Sequence, residues 1–413
     1  MQTSIIEKFS KTPEGLEADA ILRSCVHCGF CTANCPTYQI RYDEPNSPRG
    51  RIYLIKQVLE GHTPSKKTQE HLDRCLHCLA CETSCPSGVR YRRLIDIGNH
   101  LVEQAIPRPM KQRLIRQALR LLLPHPVIFK PVLRLGQLTR AFLPATIRAR
   151  IPAYQKPAPW PESGEKNNHR HDRTMLVLEG CVQSAATPNT NAITARILDR
   201  LGIHLIKASG TGCCGAVSYH LSAKDEALDF MRNNIDSWWP HIEDGAEAII
   251  ITASGCGVTV KEYGEILAQD SRYAEKAKRI SELAKDISEV LTIENIDSLE
   301  TAQAPCNVAF HSPCTLHNGQ NITGKVESIL ERAGFTLTPV TDNHQCCGSA
   351  GTYSILQPDM SQKLLHKKLT ALEGTQPDVI ATANVGCQLH MQTKATTPVK
   401  HWIELLEPKP HGK

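Results

Sequence analysis

The chain has 413 residues, enough for two to four domains at roughly 100–200 residues each, so a single small module is excluded. Apolar residues at 41% and charged residues at 22% are ordinary for a folded soluble protein and exclude a disordered or fibrous chain. With 47 basic and 42 acidic side chains the net charge is only +5, so no nucleic-acid partner is expected and any basic surface has to be local.

No stretch approaches the eighteen or so uninterrupted apolar residues of a spanning helix. Met1 to Asp19 carries Glu7, Glu14, Glu17 and Asp19 and no apolar signal-peptide core, so a cytoplasmic location is expected. In a reducing compartment 17 cysteines read as metal ligands or redox groups rather than disulfides.

Cys25, Cys28, Cys31 and Cys35, followed by Pro36, spell Cys-x2-Cys-x2-Cys-x3-Cys-Pro, and Cys75, Cys78, Cys81 and Cys85, followed by Pro86, spell it again 50 residues on. This is the run of bacterial two-cluster ferredoxins, in which three close thiolates hold one [4Fe–4S] cube and the fourth reaches the other. The expected sets are Cys25, Cys28, Cys31 and Cys85 on one cluster, and Cys75, Cys78, Cys81 and Cys35 on the other. Zinc fits worse, because four-Cys zinc sites come as two separated Cys-x2-Cys pairs rather than one packed, duplicated run. Arg51 to Gly61 and Tyr91 to Gln104 carry apolar residues at helical spacing, so residues 1–105 are expected to form a helical ferredoxin domain. His27 and His77, at matching positions, are either hydrogen-bond donors to cluster sulfur or partly exposed loop side chains.

From Gln104 to Pro161 no Asp or Glu occurs, while Arg108, Lys111, Arg113, Arg116, Arg120, Lys130, Arg134, Arg140, Arg148, Arg150 and Lys156 are basic. Met110, Leu114, Ala118 and Leu121 share one helical stripe and Arg113, Arg116 and Arg120 another, which suits an anionic membrane surface or an acidic partner. The competing reading docks these helices on the ferredoxin domain with Arg outward. Prolines 124, 126, 131 and 144 are expected to split this linker, residues 106–173, into short helices, with an exposed hinge from Glu162 to Arg173.

The remainder is an internal repeat. Cys181, the pair Cys213-Cys214 with Gly215, and Cys256 are matched by Cys314, the pair Cys346-Cys347 with Gly348, and Cys387, at offsets of 133, 133, 133 and 131. Each repeat, 174–300 and 301–413, shows three apolar strands alternating with helices. Met175–Leu178, His204–Ile206 and Ala248–Ile251 are matched by Val308–Phe310, Thr336–Thr338 and Val379–Ala381. Such alternation implies a small parallel α/β sheet, and every cysteine set follows a strand's carboxyl end, where such sheets place ligands. Gly210 to Gly215 fits a dinucleotide-binding pattern by chance: the matching loop, Asn343 to Gly348, lacks the first two glycines and no acid sits where the motif needs one. No flavin is therefore expected on this chain. Cys306 has no counterpart and reads as a small buried apolar residue.

These repeats resemble the cysteine-rich CCG domains of heterodisulfide reductase subunits, lactate-utilisation proteins and the iron–sulfur subunits of anaerobic glycerol-3-phosphate dehydrogenase and glycolate oxidase. With the duplicated ferredoxin run and Ser47-Pro48-Arg49-Gly50-Arg51, nearly the whole chain is most similar to the glycolate oxidase iron–sulfur subunit family. The resemblance implies flavoprotein partner subunits that oxidise glycolate to glyoxylate, with this chain carrying electrons to a quinone or other acceptor. The acid-free basic stretch, with no spanning segment, leads to an expected peripheral position on the inner face of the cell membrane. A lactate or glycerol-3-phosphate dehydrogenase subunit, or a catalyst like heterodisulfide reductase, is the alternative.

One departure matters. Heterodisulfide reductase-type repeats finish with Cys-x-x-Cys, whereas Thr259 follows Cys256 and His390 follows Cys387. A further iron–sulfur or zinc centre is weighed at Cys314, Cys346, Cys347, Cys387 and His390, and less at Cys181, Cys213, Cys214 and Cys256, against thiol-lined pockets without metal.

Overall fold

The computed structural model describes residues 1–161 and 171–409. Residues 1–105 are helix and loop, and the two cysteine runs sit in the same frame. A helix precedes each first cysteine, Pro13–Ser24 and Lys66–Asp73, and one helical turn carries each third cysteine, Phe30–Ala33 and Ala80–Thr83. Longer helices follow, Pro48–Leu59 and Tyr91–Ala105. Thr12, Ser47 and Ser65 accept backbone N–H bonds at the helix starts they cap. The two long helices meet at Gly98, where a Cβ would lie 2.5 Å from Ile55, and Ala18, Leu22, Ile55, Leu59, Leu94 and Ile95 fill the core between elements.

The basic stretch forms two helices, Met110–Leu122 and Pro126–Leu138, and shorter turns. Pro131 does not break the second helix as expected. Its ring frees the carbonyl four residues back, that of Val127, in a first turn open to water, Val127 being 88% exposed. The arginine stripe also departs from expectation. Arg108 pairs with Asp73 at 2.7 Å and with Glu103, Arg116 pairs with Asp73 at 3.1 Å, and Arg120 pairs with Glu226. These side chains face inward and fasten the stretch to the ferredoxin helices and to the first repeat, while Met110, Leu114 and Leu121 stay 57–67% exposed.

Of the expected hinge, residues 162–170 lie outside the described residues, and Arg173 instead opens a strand. The first repeat contains β1 (Arg173–Val177), β2 (Ile203–Ile206), β3 (Ile249–Ile251) and β4 (Ala284–Asp286); the second contains β5 (Asn307–His311), β6 (Thr336–Leu337), β7 (Val379–Thr382) and β8 (Val399–His401). The orders are β2-β1-β3-β4 and β6-β5-β7-β8, every pairing is parallel, and the direction of winding reverses between β1 and β3 and between β5 and β7. β4 and β8 make four strands where three were expected. Two of the three residues in each are polar, Lys285 and Asp286 in β4 and Lys400 and His401 in β8, so neither shows an apolar run.

The two sheets share one core. Met175, Val177 and Ile250 from the first join Val308, Phe310 and Ala381 from the second, and Trp402, Ile403, Leu405 and Leu406 close the space between them. Cys306 is half-buried against this core rather than buried within it. Residues 402–409 also reach back across the first repeat: Thr190 Oγ1 donates to Glu404 at 3.0 Å and Arg196 pairs with Glu407 at 2.6 Å.

Candidate functional site

The cysteine runs fold around two cavities. One is lined by Cys25, Cys28, Cys31, Cys81 and Cys85; the other by Cys35, Cys75, Cys78 and Cys81. The opposite run thus contributes to each, with Cys85 in the first and Cys35 in the second, while Cys81 lies on the wall between the two. The loops between the cysteines alternate into left-handed backbone at His27 (φ 59°) and Gly29 (φ 91°), and again at His77 (φ 50°) and Leu79 (φ 62°). Such alternation turns successive N–H groups toward one point, a concavity suited to an anion such as a thiolate-ligated cluster. Leu79 adopts it without glycine's freedom, so the tertiary frame rather than local preference imposes the loop.

Burial pushes the Cys31 thiol up to about 11 and holds Cys78 and Cys81 well above the ordinary thiol range. These sulfurs stay protonated until a cation compensates them, which iron does. The donor set, the cavities and the N–H concavities fit two cubane clusters. Arg51, 1% exposed, lines the second cavity; its Nε donates to His71 O at 2.8 Å and its Nη2 to Thr37 Oγ1 at 3.0 Å.

The cavities differ in surroundings. Beside the first, Cys28 is exposed and Val26 and Phe30 are 69% and 66% exposed. The second is walled in by both repeats. Asn318 donates to Cys78 O at 3.0 Å, the Tyr353 hydroxyl donates to Arg74 O at 3.1 Å, and Leu76, Cys346 and Tyr353 pack with Cys78 and Cys314. On the other side the His77 ring lies 4.6 Å from that of His220, tilted by 47°, with Asp96 3.6 Å from His77 Nδ1. Burial pushes Asp96 up to about 7. His77 thus faces the first repeat and His27 is exposed. Further pairs hold this face: Arg90 to Glu265 at 2.6 Å, Arg92 to Glu262, Lys224 to Glu14 at 2.9 Å, and Arg93 to the Tyr219 hydroxyl at 3.1 Å.

In both repeats the cysteines gather at the carboxyl edge of the sheet, around the reversal of winding. In the first, Cys213 contacts Cys181 and Cys214, and Cys214 contacts Cys256. Hydrogen bonds from Cys213 and Cys256 hold Cys214 well below the ordinary thiol range. In the second, Cys314 and Cys346 lie 3.9 Å apart, sulfur to sulfur, and Cys347 touches Cys346 and Cys387. His390 Nε2 lies 3.1 Å from Ser361 Oγ, outside this group, and Thr259 Oγ1 donates to its own helix at Gly255 O. His311, which the motif spacing did not single out, is the imidazole that joins the cysteines: its ring nitrogen and the sulfurs of Cys347 and Cys387 all lie within 4.8 Å of one another. A signal existed, since 133 residues earlier the first repeat has Leu178, making His311 a polar residue at an apolar strand end.

The Gly of each Cys-Cys-Gly is explained by packing. Gly215 and Gly348 have φ of 91° and 85°, and a Cβ would meet backbone oxygen of the following long helix at 2.9 and 2.6 Å.

Comparison with known proteins agrees with this geometry. A 4Fe-4S dicluster domain family matches residues 21–89, and a cysteine-rich domain family matches residues 175–261 and 308–392. The glycolate oxidase iron–sulfur subunit of Escherichia coli is 53% identical over 408 residues, covering 98% of both chains. A probable glycolate oxidase iron–sulfur subunit of Bacillus subtilis is 29% identical over 90% of this chain and 88% of its own. Lactate utilization protein A of Bacillus licheniformis is 26% identical over 51% of this chain and 87% of its own.

Proposed function

The chain belongs to the family of glycolate oxidase iron–sulfur subunits, and from that premise we propose that it serves a flavoprotein complex whose substrate is glycolate. Glycolate gives two electrons and two protons to flavin on a partner subunit and leaves as glyoxylate; a quinone, which becomes quinol, or another acceptor takes the electrons. Bound [4Fe–4S] clusters accept single electrons and so divide the flavin's pair. In this reading Cys25, Cys28, Cys31 and Cys85 hold one cluster and Cys75, Cys78, Cys81 and Cys35 the other. The observation that carries it is that Cys85 lines the cavity of the first run and Cys35 that of the second.

The chain's residues then divide the work. Val26 and Phe30 offer an apolar rim to the partner beside the first cavity. Arg51 sets a buried positive charge beside the second cavity, which favours the reduced, more negative state there. The proposed division runs as a ferredoxin part (1–105), a basic linker (106–173) and two cysteine-rich repeats (174–300 and 301–413). Among the described residues no helix is long and apolar enough to cross a membrane. We assign the chain to the inner membrane face as a peripheral protein, an assignment supported by exposed Met110, Leu114 and Leu121 beside Lys111, Arg113 and Lys130, whose side chains make no ion pair among the described residues.

The test is anaerobic purification with metal analysis, then dye reduction by glycolate. About eight iron and eight sulfide per chain are expected, with turnover only after flavoprotein partners are added. Zinc in place of iron, iron for a single cluster, or turnover by the isolated chain overturns the reading.

A further inference from the structure

Three polar side chains face one another across the seam between the ferredoxin part and the first repeat without closing on each other. His77 Nδ1 lies 3.6 Å from Asp96 Oδ1, and His220 Nδ1 lies 3.9 Å from the same oxygen. Both separations are too long for hydrogen bonds. Among the described residues no other group donates to the Asp96 carboxylate, and His77 Nδ1 is a buried nitrogen with no partner. The same two residue types do close elsewhere, since His171 Nε2 stands 2.8 Å from Asp199 Oδ1. The gap at Asp96 is therefore held open by the fold, and its size says what fits. One nitrogen from each imidazole and a carboxylate oxygen all lie within 4.8 Å of one another. Around a tetrahedral ion with bonds of about 2.0–2.2 Å, such ligand atoms stand about 3.3–3.6 Å apart. Groups bridged by a water at about 2.8 Å would stand about 4.6 Å apart. The separations of 3.6 and 3.9 Å lie nearer the ion.

Charge supports the same reading. Arg92 and Arg93, the cations that act on Asp96, are already engaged, Arg92 with Glu82 at 3.7 Å and with Glu262, and Arg93 with Glu17 at 2.9 Å. Arg90 pairs with Glu265 at 2.6 Å and lies 3.8 Å from Glu17. These three arginines meet four glutamates, so one carboxylate is in excess before Asp96 is counted, and a divalent cation brings the seam to balance. The His220 side chain is the open edge of the group, 42% exposed, which leaves an entry path and a position for water. Equivalent places in the two duplications lack the group. Tyr353 stands 133 residues after His220 and donates to Arg74 O, and 50 residues before His77 stands the exposed His27.

We propose that His77, Asp96 and His220 bind one divalent transition ion, with zinc as its reference case and water in the remaining position. The ion ties the loop of the second cysteine run and the helix Tyr91–Ala105 to the helical turn Ala216–His220 of the first repeat. None of its ligands is a cysteine, so the electron-carrying assignment stands or falls separately.

The experiment uses the full-length chain with its clusters, purified without air and supplied with zinc, then dialysed against a weak chelator. Elemental analysis counts zinc and iron in the wild type, His220→Ala, Asp96→Asn and His171→Ala, so that zinc on any cysteine is common to all four. His220→Ala and Asp96→Asn should each hold about one zinc per chain fewer than the wild type, with iron unchanged, whereas His171→Ala should hold as much as the wild type. The difference in zinc K-edge absorption between wild type and His220→Ala should show nitrogen and oxygen neighbours without sulfur. Zinc equal to the wild type in either site variant, an equal loss in His171→Ala, a difference shell containing sulfur, or iron lost together with zinc in both site variants overturns the proposal.

Discussion

Gly348→Ala tests the packing that underlies the Cys-Cys-Gly motif. An alanine there must adopt φ near 85°, and its Cβ would lie 2.6 Å from Ser361 O and 2.9 Å from Leu364 Cβ. Gly202 separates the two effects, since it has φ of 76° and nothing within 4 Å of an added Cβ. Gly202→Ala should therefore lose only the left-handed backbone term, about 1–2 kcal/mol. Gly348→Ala adds overpacking of about 1–3 kcal/mol, because both close atoms belong to a helix that cannot swing away alone, for a total of about 2–5 kcal/mol. Gly215→Ala, at 2.9 Å from Ala227 O and 3.2 Å from Met231 Cε, should fall between them. Urea unfolding of the three variants beside the wild type, followed by circular dichroism under argon, orders the midpoints. If Gly348→Ala loses no more than Gly202→Ala, the close approach is not what demands glycine.

Other expectations follow from the same geometry. Cys35→Ser should damage the cluster of Cys75, Cys78 and Cys81, and Cys85→Ser that of Cys25, Cys28 and Cys31, as read by paramagnetic resonance of the half-reduced protein; damage to the cluster of the same run in each case refutes the exchange. Arg51→Gln removes a buried cation beside the second cavity and should lower that cluster's potential, on the order of 50 mV, leaving the first nearly unmoved in a redox titration. Glu17 is held below the ordinary carboxylate range by its hydrogen bond to Arg93, so its stabilisation is present above the unfolded Glu pKa and fades as pH falls through the lower folded value. The gap in urea midpoint between wild type and Glu17→Gln should accordingly be full at pH 7 and shrink below about pH 4.3; a gap that widens on acidification contradicts the assignment. Flotation with anionic vesicles should fail for Leu114→Glu combined with Leu121→Glu, while salt alone releases the wild type; binding unaffected by the substitutions would move the contact elsewhere.

Much of this was legible in the sequence because it rests on covalent spacing. The eight ferredoxin cysteines and the 133-residue repeat announce themselves, and the central strands are long enough to show their apolar runs. What escaped depends on distant partners. Arg116 and Arg120 looked like a free basic stripe because Asp73 and Glu226 lie 43 and 106 residues away. His390 drew attention by standing where a fifth cysteine belongs, yet its ring turns to Ser361, while His311 sits three residues before Cys314 at the end of β5 and points among the thiols. Pro131 read as a breaker because sequence does not say that its turn of helix faces water.

The segment that closes the shared core has a consequence for biosynthesis. Trp402, Ile403, Leu405 and Leu406 lie more than a hundred residues beyond the end of the first repeat, yet they cover its apolar face together with Met175, Val177 and Ile250. At about 5–20 residues per second a ribosome takes roughly 5–20 s to travel that distance, and throughout it the first repeat is synthesised but uncovered. A nascent chain in that interval exposes a greasy sheet face and unligated thiols together, which makes it a natural client for chaperones and vulnerable to oxygen. A stop codon near residue 400 would therefore act at a distance, harming the repeat that was made first.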